Sequence, residues 1–326
     1  MGPLRAAARL WRERTGVGVE WSTRPLSSFN DEPVEELALG ADLIVVDHPF
    51  SGTAAATACL APLDRLLPDA TLEALAADAI GQSHASYFYG GHQWALALDA
   101  ACQVSVARDD LLSALGARVP ATWDDVTALA QRVPSRVALP LYPTDAVCSL
   151  LTIAANAGRP AAAAETLFSC SEAGAEAVAR LGELARLVHE DSFELNPPAL
   201  LDRMRDTDEL VYAPLTFGYT NYARPGAPGH RLRFVDVPSA GLGPVGSLLG
   251  GAGLAVSASS ASQDLAAAFA AWICGADVQR ELVFPAGGQP GSRSVWLDPA
   301  LDAASGGFFS GTLASIEGAY VRPRDA

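Results

Sequence analysis

Residues 41–50, ADLIVVDHPF, carry the reading that decides the fold. Leu43 to Val46 is a short uninterrupted apolar run between Asp42 and Asp47, the pattern of a strand buried on both faces in a parallel sheet. Asp47, His48, Pro49 and Phe50 fall just past its carboxyl end, which is where open α/β sheets bind ligands. Upstream, Leu4, Ala7, Ala8, Leu10 and Trp11 keep helical spacing up to Gly16, a C-cap residue. VGVEW (17–21) then alternates as a short strand, and a charged segment runs from Asp31 to Glu36.

The same alternation continues downstream. Val104 and Val106 read as a strand, Asp109 and Asp110 open a helix, and Thr122 N-caps another whose Val126 and Leu129 face inward. Apolar positions from Glu172 to His189 form one face of a long amphipathic helix. A short helix follows Pro197 and Pro198, strands lie in DELVYAPLTF and RLRFVDV, and LLGGAGLAVSA is strand-like before a helix from Asp264 to Ile273. A last helix is expected near Leu313. Strands and helices separated by aromatic loops favour two α/β lobes linked by several crossings over a single barrel.

Composition narrows the function. The 326 residues include 37 acidic and 22 basic side chains, a formal charge of -15, and every basic residue is Arg. Such a chain repels phosphate backbones, so nucleic acid is excluded as a partner. The cysteines Cys59, Cys102, Cys148, Cys170 and Cys274 never pair as CxxC, so buried free thiols are expected, with neither a zinc site nor a disulfide framework. No apolar stretch is long enough for a membrane helix.

Sequence motifs for chemistry are weak. Gly241, Gly243 and Gly246 match GxGxxG, but Pro244 interrupts the motif and no helix opens on it. Ser83 and His84 in GQSHA lack the last glycine of a nucleophile elbow, and His189-Glu190 lacks the second histidine of a zincin. No catalytic residue, metal or cofactor is assigned. Aromatic residues carry more: Tyr87, Phe88, Tyr89, Trp94, Tyr142, Phe217, Tyr219 and Tyr222 lie in loops rich in Gly, Pro, Asn and Asp. Aromatic faces stack on the CH faces of sugars or on other flat or cationic groups, while carboxylates and amides hold hydroxyls. Packing between layers is the plainer reading for any one of them.

Together these segments resemble the extracellular solute-binding proteins of ABC transporters, the sugar-binding class called family 1. The resemblance is carried by TGVGVEW, ADLIVVDHPF, YFYGGHQWALALDAACQVSVARDDLL, PATWDDVTALA, VYAPLTFGYTNYAR, GGAGLAVSASSASQDLAAAFAAWIC and GGQPGSRSVWLDP, in the family's order. It implies a two-lobed, periplasmic-binding-protein-like (type II) α/β fold with a central ligand cleft and a hinge. Lobe 1 would be 1–100 plus 247–293, and lobe 2 would be 101–246 plus 294–326. The implied ligand residues are Asp47, His48, Phe50, Tyr87, Tyr89, Trp94, Asp99 and Gly251 in the first lobe. Tyr142, Asp145, Phe217, Tyr219 and Asn221 belong to the second, and Arg293 reaches for a carboxylate or hydroxyl or else forms a structural salt bridge.

The implied function is capture of a polar small molecule, a sugar above all, by a monomer that serves ABC permease subunits outside the cytoplasm. Some features depart from the family. The chain opens on a helix rather than a strand, stops soon after the helix near Leu313, and shows no signal peptide in its first residues, so it reads as shortened at both ends. A cytoplasmic enzyme of lyase or dehydratase type, with Asp47, His48, Asp99 and Asp145 as acid/base groups, or a ligand sensor, is the alternative.

Overall fold

The structure, a computed structural model, describes residues 2–24, 32–161 and 171–324. Asp31 and Cys170, singled out above, lie outside the described residues. The chain divides into two compact units. Unit 1 comprises Met1–Ala100, Gly250–Trp296 and Pro323–Ala326, and unit 2 comprises Ala101–Leu249 and Leu297–Arg322. Compared with the expected division, residues 247–249 group with unit 2, 294–296 with unit 1, and 323–326 return to unit 1.

Nine strands are described: β1 Leu43–Val46, β2 Phe88–Tyr89, β3 His92–Gln93, β4 Leu96–Ala97, β5 Ala101–Ala107, β6 Tyr212–Phe217, β7 Arg233–Val235, β8 Leu249–Gly250 and β9 Gly253–Val256. Unit 1 is built on the order β1-β9-β4, with β9 antiparallel to both neighbours. Val46 and Ala97 both face Gly253 across the ladder. The run Leu43–Val46 is therefore a strand, as its sequence says, but an antiparallel one. Four apolar residues report burial on two faces and carry no information about the direction of a partner two hundred positions away. VGVEW forms no strand; Val19 and Trp21 instead pack on the unit 1 core.

That core is helix against sheet. Helix Gln263–Cys274 buries Ala267, Phe269, Ala270 and Ile273 against Leu96, Leu254 and Val256. Helix Gly2–Thr15 adds Trp11, edge-on to Phe269 at 5.5 Å between centroids and tilted on Trp272 at 5.1 Å. Gly16, at φ 76°, ends this helix with its N–H on the Arg12 carbonyl. Such aromatic contacts add about 0.5–1.5 kcal/mol each beyond area burial.

In unit 2, β5 runs between β6 and β7, antiparallel to both. Helix Trp123–Arg132 starts with a capping box: Thr122 Oγ1 accepts the Asp125 N–H, and the Asp125 carboxylate accepts the Thr122 N–H. Trp123, Val126 and Leu129 enter the core beside Ile153, Tyr212 and Leu215, and the Trp123 indole N–H donates to Asn156 Oδ1 at 2.9 Å. The amphipathic helix expected over 172–189 is Ser171–Ala185; His189 Nδ1 then accepts the Asp191 N–H and starts a separate turn. Arg108, fully buried at the end of β5, donates five hydrogen bonds: two to Asp110, one to Asp208 and two to the carbonyls of Met204 and Thr207. It closes the carboxyl end of helix Pro197–Asp206.

The capping box gives a direct prediction. Replacing Thr122 with Ala should cost about 1 kcal/mol, read as a lower denaturation midpoint in urea; an unchanged midpoint would mean that the box is idle.

Candidate functional site

The antiparallel sheet of unit 1 brings three chain segments to one edge. Because β9 lies in the middle, the residue after β1 (Asp47), the residues before β9 (Gly251 and Ala252) and the residues after β4 (Leu98 and Asp99) share the same sheet end. The Leu98 and Asp99 N–H groups both donate to the Ala252 carbonyl, and the Ala252 N–H donates back to Asp99 Oδ1. Gly251 has φ 108°, and a Cβ there would come within 3.0 Å of the Asp99 carbonyl, so glycine is required both by conformation and by space. At Gly253 a Cβ would overlap the Tyr87 ring at 2.6 Å.

Asp47 and His48 are buried on this edge, and Asp47 Oδ1 accepts the His48 N–H at 2.8 Å. The hairpin β2–β3 turns at Gly90–Gly91 and is held by His92 on Asp64 at 2.9 Å. Burial pushes the Asp99 carboxyl up to about 7; the charge of Asp47 adds to the rise, and the Ala252 N–H opposes it. The folded state thus holds a proton that the unfolded chain, at the ordinary 3.8, has lost. Between those two values stability falls as pH rises, and the full penalty is present above about 7.

The structure separates aromatic residues that the sequence groups together. Trp94 is only 5 % exposed, lies in a core cluster with Ile44, Val46 and Ala255, and donates its indole N–H to the Tyr89 carbonyl at 2.9 Å. Tyr87 is buried in the same cluster, with its hydroxyl directed to the Val46 carbonyl. Both are packing residues of unit 1. Phe50 and Tyr89 are partly buried, and Phe88 is half exposed. Arg324, which the sequence alone does not single out, donates to the carbonyls of Ala85, Ser86 and Phe88 and places its guanidinium 5.8 Å from the Tyr89 ring centre. Arg293 is exposed at the start of helix Arg293–Trp296, with its N–H on the Asp78 carbonyl.

In unit 2, Phe217 faces Gln103 in the β5–β6 ladder and packs on Cys148 and Leu151 of helix Pro143–Asn156. Tyr142 precedes that helix with 52 % exposure, and Asp145 is buried in its first turn. Tyr219 is partly buried and Asn221 exposed, just past the end of β6. These five residues line the end of β6 and the start of one helix. Tyr222 is structural: its hydroxyl donates to Asp202 at 2.8 Å, and the Arg205 guanidinium lies 5.5 Å from its ring centre.

Two other features have the outline of a site. A cavity of about 650 Å³ in unit 2 is floored by Ile153, Ala154 and Ala177 and rimmed by the pairs Arg159–Glu176 and Arg180–Asp124. None of the expected ligand residues lines it. Asp110, Asp208 and His230 bring their ligand atoms within 4.8 Å of one another, but Arg108 already bonds both carboxylates at 2.7 and 2.6 Å, which makes the cluster an ion-pair network. Of the expected free thiols, Cys102, Cys148 and Cys274 are buried and Cys59 is partly so.

Comparison with known proteins defines the class. The chain belongs to the bacterial extracellular solute-binding protein family, whose model matches residues 13–305. Its α/β fold is that of two-lobed solute-binding proteins. It is similar to an ABC transporter solute-binding protein of Agrobacterium radiobacter K84 in complex with ribitol (TM-score 0.83, 19 % identity, 98 % of this chain and 85 % of that one). Another, from Thermotoga lettingae TMO with bound α-D-tagatose, gives TM-score 0.82 at 18 % identity, covering 99 % of this chain and 85 % of that one. A third, from Agrobacterium vitis S4 with bound D-mannitol, gives 0.79 at 18 % identity, covering 98 % and 82 %. No curated protein matches the sequence. No helix among the described residues is long and apolar enough to cross a membrane.

Replacing Asp99 with Asn removes the titrating group and keeps an acceptor for the Ala252 N–H. The variant should melt at a higher temperature than the parent at pH 8, with the advantage shrinking as pH falls to 5. An advantage independent of pH would contradict the account of Asp99.

Proposed function

We propose that this protein captures a neutral polyhydroxylated solute, a sugar or sugar alcohol, for an ABC-type importer, acting as a monomer outside the cytoplasmic membrane. The observation that carries the reading is that each unit carries partly exposed aromatics and carboxylates in the segments that leave its sheet or open the adjoining helix. Unit 1 offers Phe50 and Tyr89 with Asp47 and Asp99, and unit 2 offers Tyr142 and Tyr219 with Asp145 and Asn221. Flat rings suit the apolar faces of a sugar, and carboxylates and amides accept or donate to its hydroxyls. Tyr87 and Trp94 belong to the core cluster of unit 1 that also holds Val46; His48 and Gly251 are assigned to its sheet edge, and Phe217 packs on Cys148 and Leu151 in unit 2. Arg293 is assigned to a corner of unit 1 beside Asp78. Membership of an extracellular family and the sugars and polyols bound by similar structures favour the same solute class and a permease as the recipient.

Calorimetry with ribitol, D-mannitol, D-tagatose and maltose tests the reading. At least one should bind saturably and be recovered chemically unchanged; conversion to a product would contradict it. Tyr219→Ala should weaken that ligand by about 1 kcal/mol, the worth of a stacked aromatic, with the fold intact. Trp94→Ala should instead lower stability by about 3–5 kcal/mol, the cost of emptying a core aromatic site. Unchanged affinity in Tyr219→Ala would remove that residue from the site.

A further inference from the structure

Charge is spread unevenly over the chain. Helix Gly2–Thr15 carries four Arg and one Glu, a formal +3, in a protein whose total is -15, so the remaining residues carry -18. At about 100° per residue, Arg5, Arg9 and Arg12 fall within about 60° of one another, on the side of the helix away from Ala7 and Trp11. Leu4, Ala7 and Trp11 pack in the unit 1 core, while the three Arg residues are exposed. At a rise of about 1.5 Å per residue the row is about 10 Å long.

Among the described residues nothing accounts for this row. Arg108, Arg159, Arg180, Arg203, Arg205 and Arg233 all pair with carboxylates. Arg5, Arg9 and Arg12 enter no ion pair and no side-chain hydrogen bond with the described residues. Arg14 lies apart from them, its guanidinium 5.8 Å from the Trp272 ring centre. Local physics disfavours the arrangement. The first turn of a helix favours acidic residues and this one has none, and like charges at Arg5 and Arg9, four positions apart, repel. A helix face of cations that the fold leaves unpaired is complementary to an anionic partner.

We propose that the outer face of helix Gly2–Thr15 docks on an anionic phospholipid bilayer, with the guanidinium groups of Arg5, Arg9 and Arg12 on headgroup phosphates. A guanidinium meets a phosphate through two parallel N–H groups. Two observations favour a membrane over a nucleic acid. The family is extracellular, which sets lipid phosphates within reach. A short row of three cations on an otherwise acidic protein suits one contact with a plane, whereas a nucleic acid following a longer track would meet the repulsion of the remaining residues. The apolar side of the helix already lies in the unit 1 core, so the contact is electrostatic, unlike that of an interfacial helix, which buries its apolar face among the lipids. In about 0.1 M salt, charges more than about 10 Å apart are largely screened. The Arg row at contact therefore outweighs acidic residues beyond that distance. This inference does not depend on which solute the protein captures.

The test is co-sedimentation of the full chain with vesicles of equimolar phosphatidylglycerol and phosphatidylcholine, or of phosphatidylcholine alone, in about 0.1 M salt. The parent should bind the anionic vesicles only, and about 0.5 M salt should release it. An Arg beside an anionic leaflet is worth about fivefold in partitioning, so the triple variant Arg5→Gln, Arg9→Gln, Arg12→Gln should bind about a hundredfold more weakly. A second triple variant of equal charge, Arg118→Gln, Arg132→Gln, Arg186→Gln in unit 2, should bind as the parent does. Both should keep the helical circular dichroism and solute affinity of the parent. Equal loss in the two variants, or equal binding to uncharged vesicles, would overturn the proposal. So would binding to duplex DNA as tight as to the anionic vesicles at the same salt, which would make the row a general polyanion site. None of these failures touches the sugar reading, which calorimetry tests separately.

Discussion

Strand β9 is the constraint on which unit 1 depends. Residues 101–249 form most of the second unit before the chain returns, and the returning strand must supply hydrogen bonds to β1 on one side and β4 on the other. Neither of those short strands pairs with the other, so without β9 they have no sheet. The close approach needed for this double pairing explains the glycines at the start of the strand, where Gly251 accommodates Asp99 and Gly253 accommodates the Tyr87 ring. It also explains why Asp47 and Asp99, fifty-two positions apart, come to flank the same backbone segment.

The chemistry at that edge follows from packing. Ring and carboxylate are brought together because the chain leaves the sheet there, and loops leaving a buried sheet must carry polar groups that meet water or a ligand. Two carboxyl groups, Asp99 in unit 1 and Asp145 in unit 2, are raised to about 7 and about 6 chiefly by burial. They differ in support: Asp99 accepts a backbone N–H, whereas Asp145 accepts nothing from the described residues.

Much of the element order was legible in the sequence because local rules govern it. The Thr122 cap, the helix ended by Gly16 and the run Leu43–Val46 depend on neighbours within a few residues. What was not legible depends on distant partners. The direction of β1 is set by β9, and VGVEW has strand alternation but no strand beside it. Trp94 and Tyr219 look alike in loops rich in glycine and tyrosine, yet one lies inside a core cluster and the other at the surface end of β6. Burial of Asp145 likewise comes from tertiary packing, while its place in a first helical turn would alone suggest an exposed, dipole-stabilised anion. The family resemblance bridged this gap for the fold as a whole. It could not say which aromatics are buried.

The central proposal is that the solute meets the sheet-end residues named above and leaves the 650 Å³ cavity of unit 2 untouched. Hydrogen–deuterium exchange on the full chain, with and without the tightest-binding sugar or sugar alcohol, tests it most directly. Slowed exchange is predicted at 47–50, 86–91 and 250–252 in unit 1 and at 142–146 and 217–221 in unit 2, with 173–183 unchanged. Protection centred on 122–124 and 173–183 instead would move the ligand to that cavity and contradict the account.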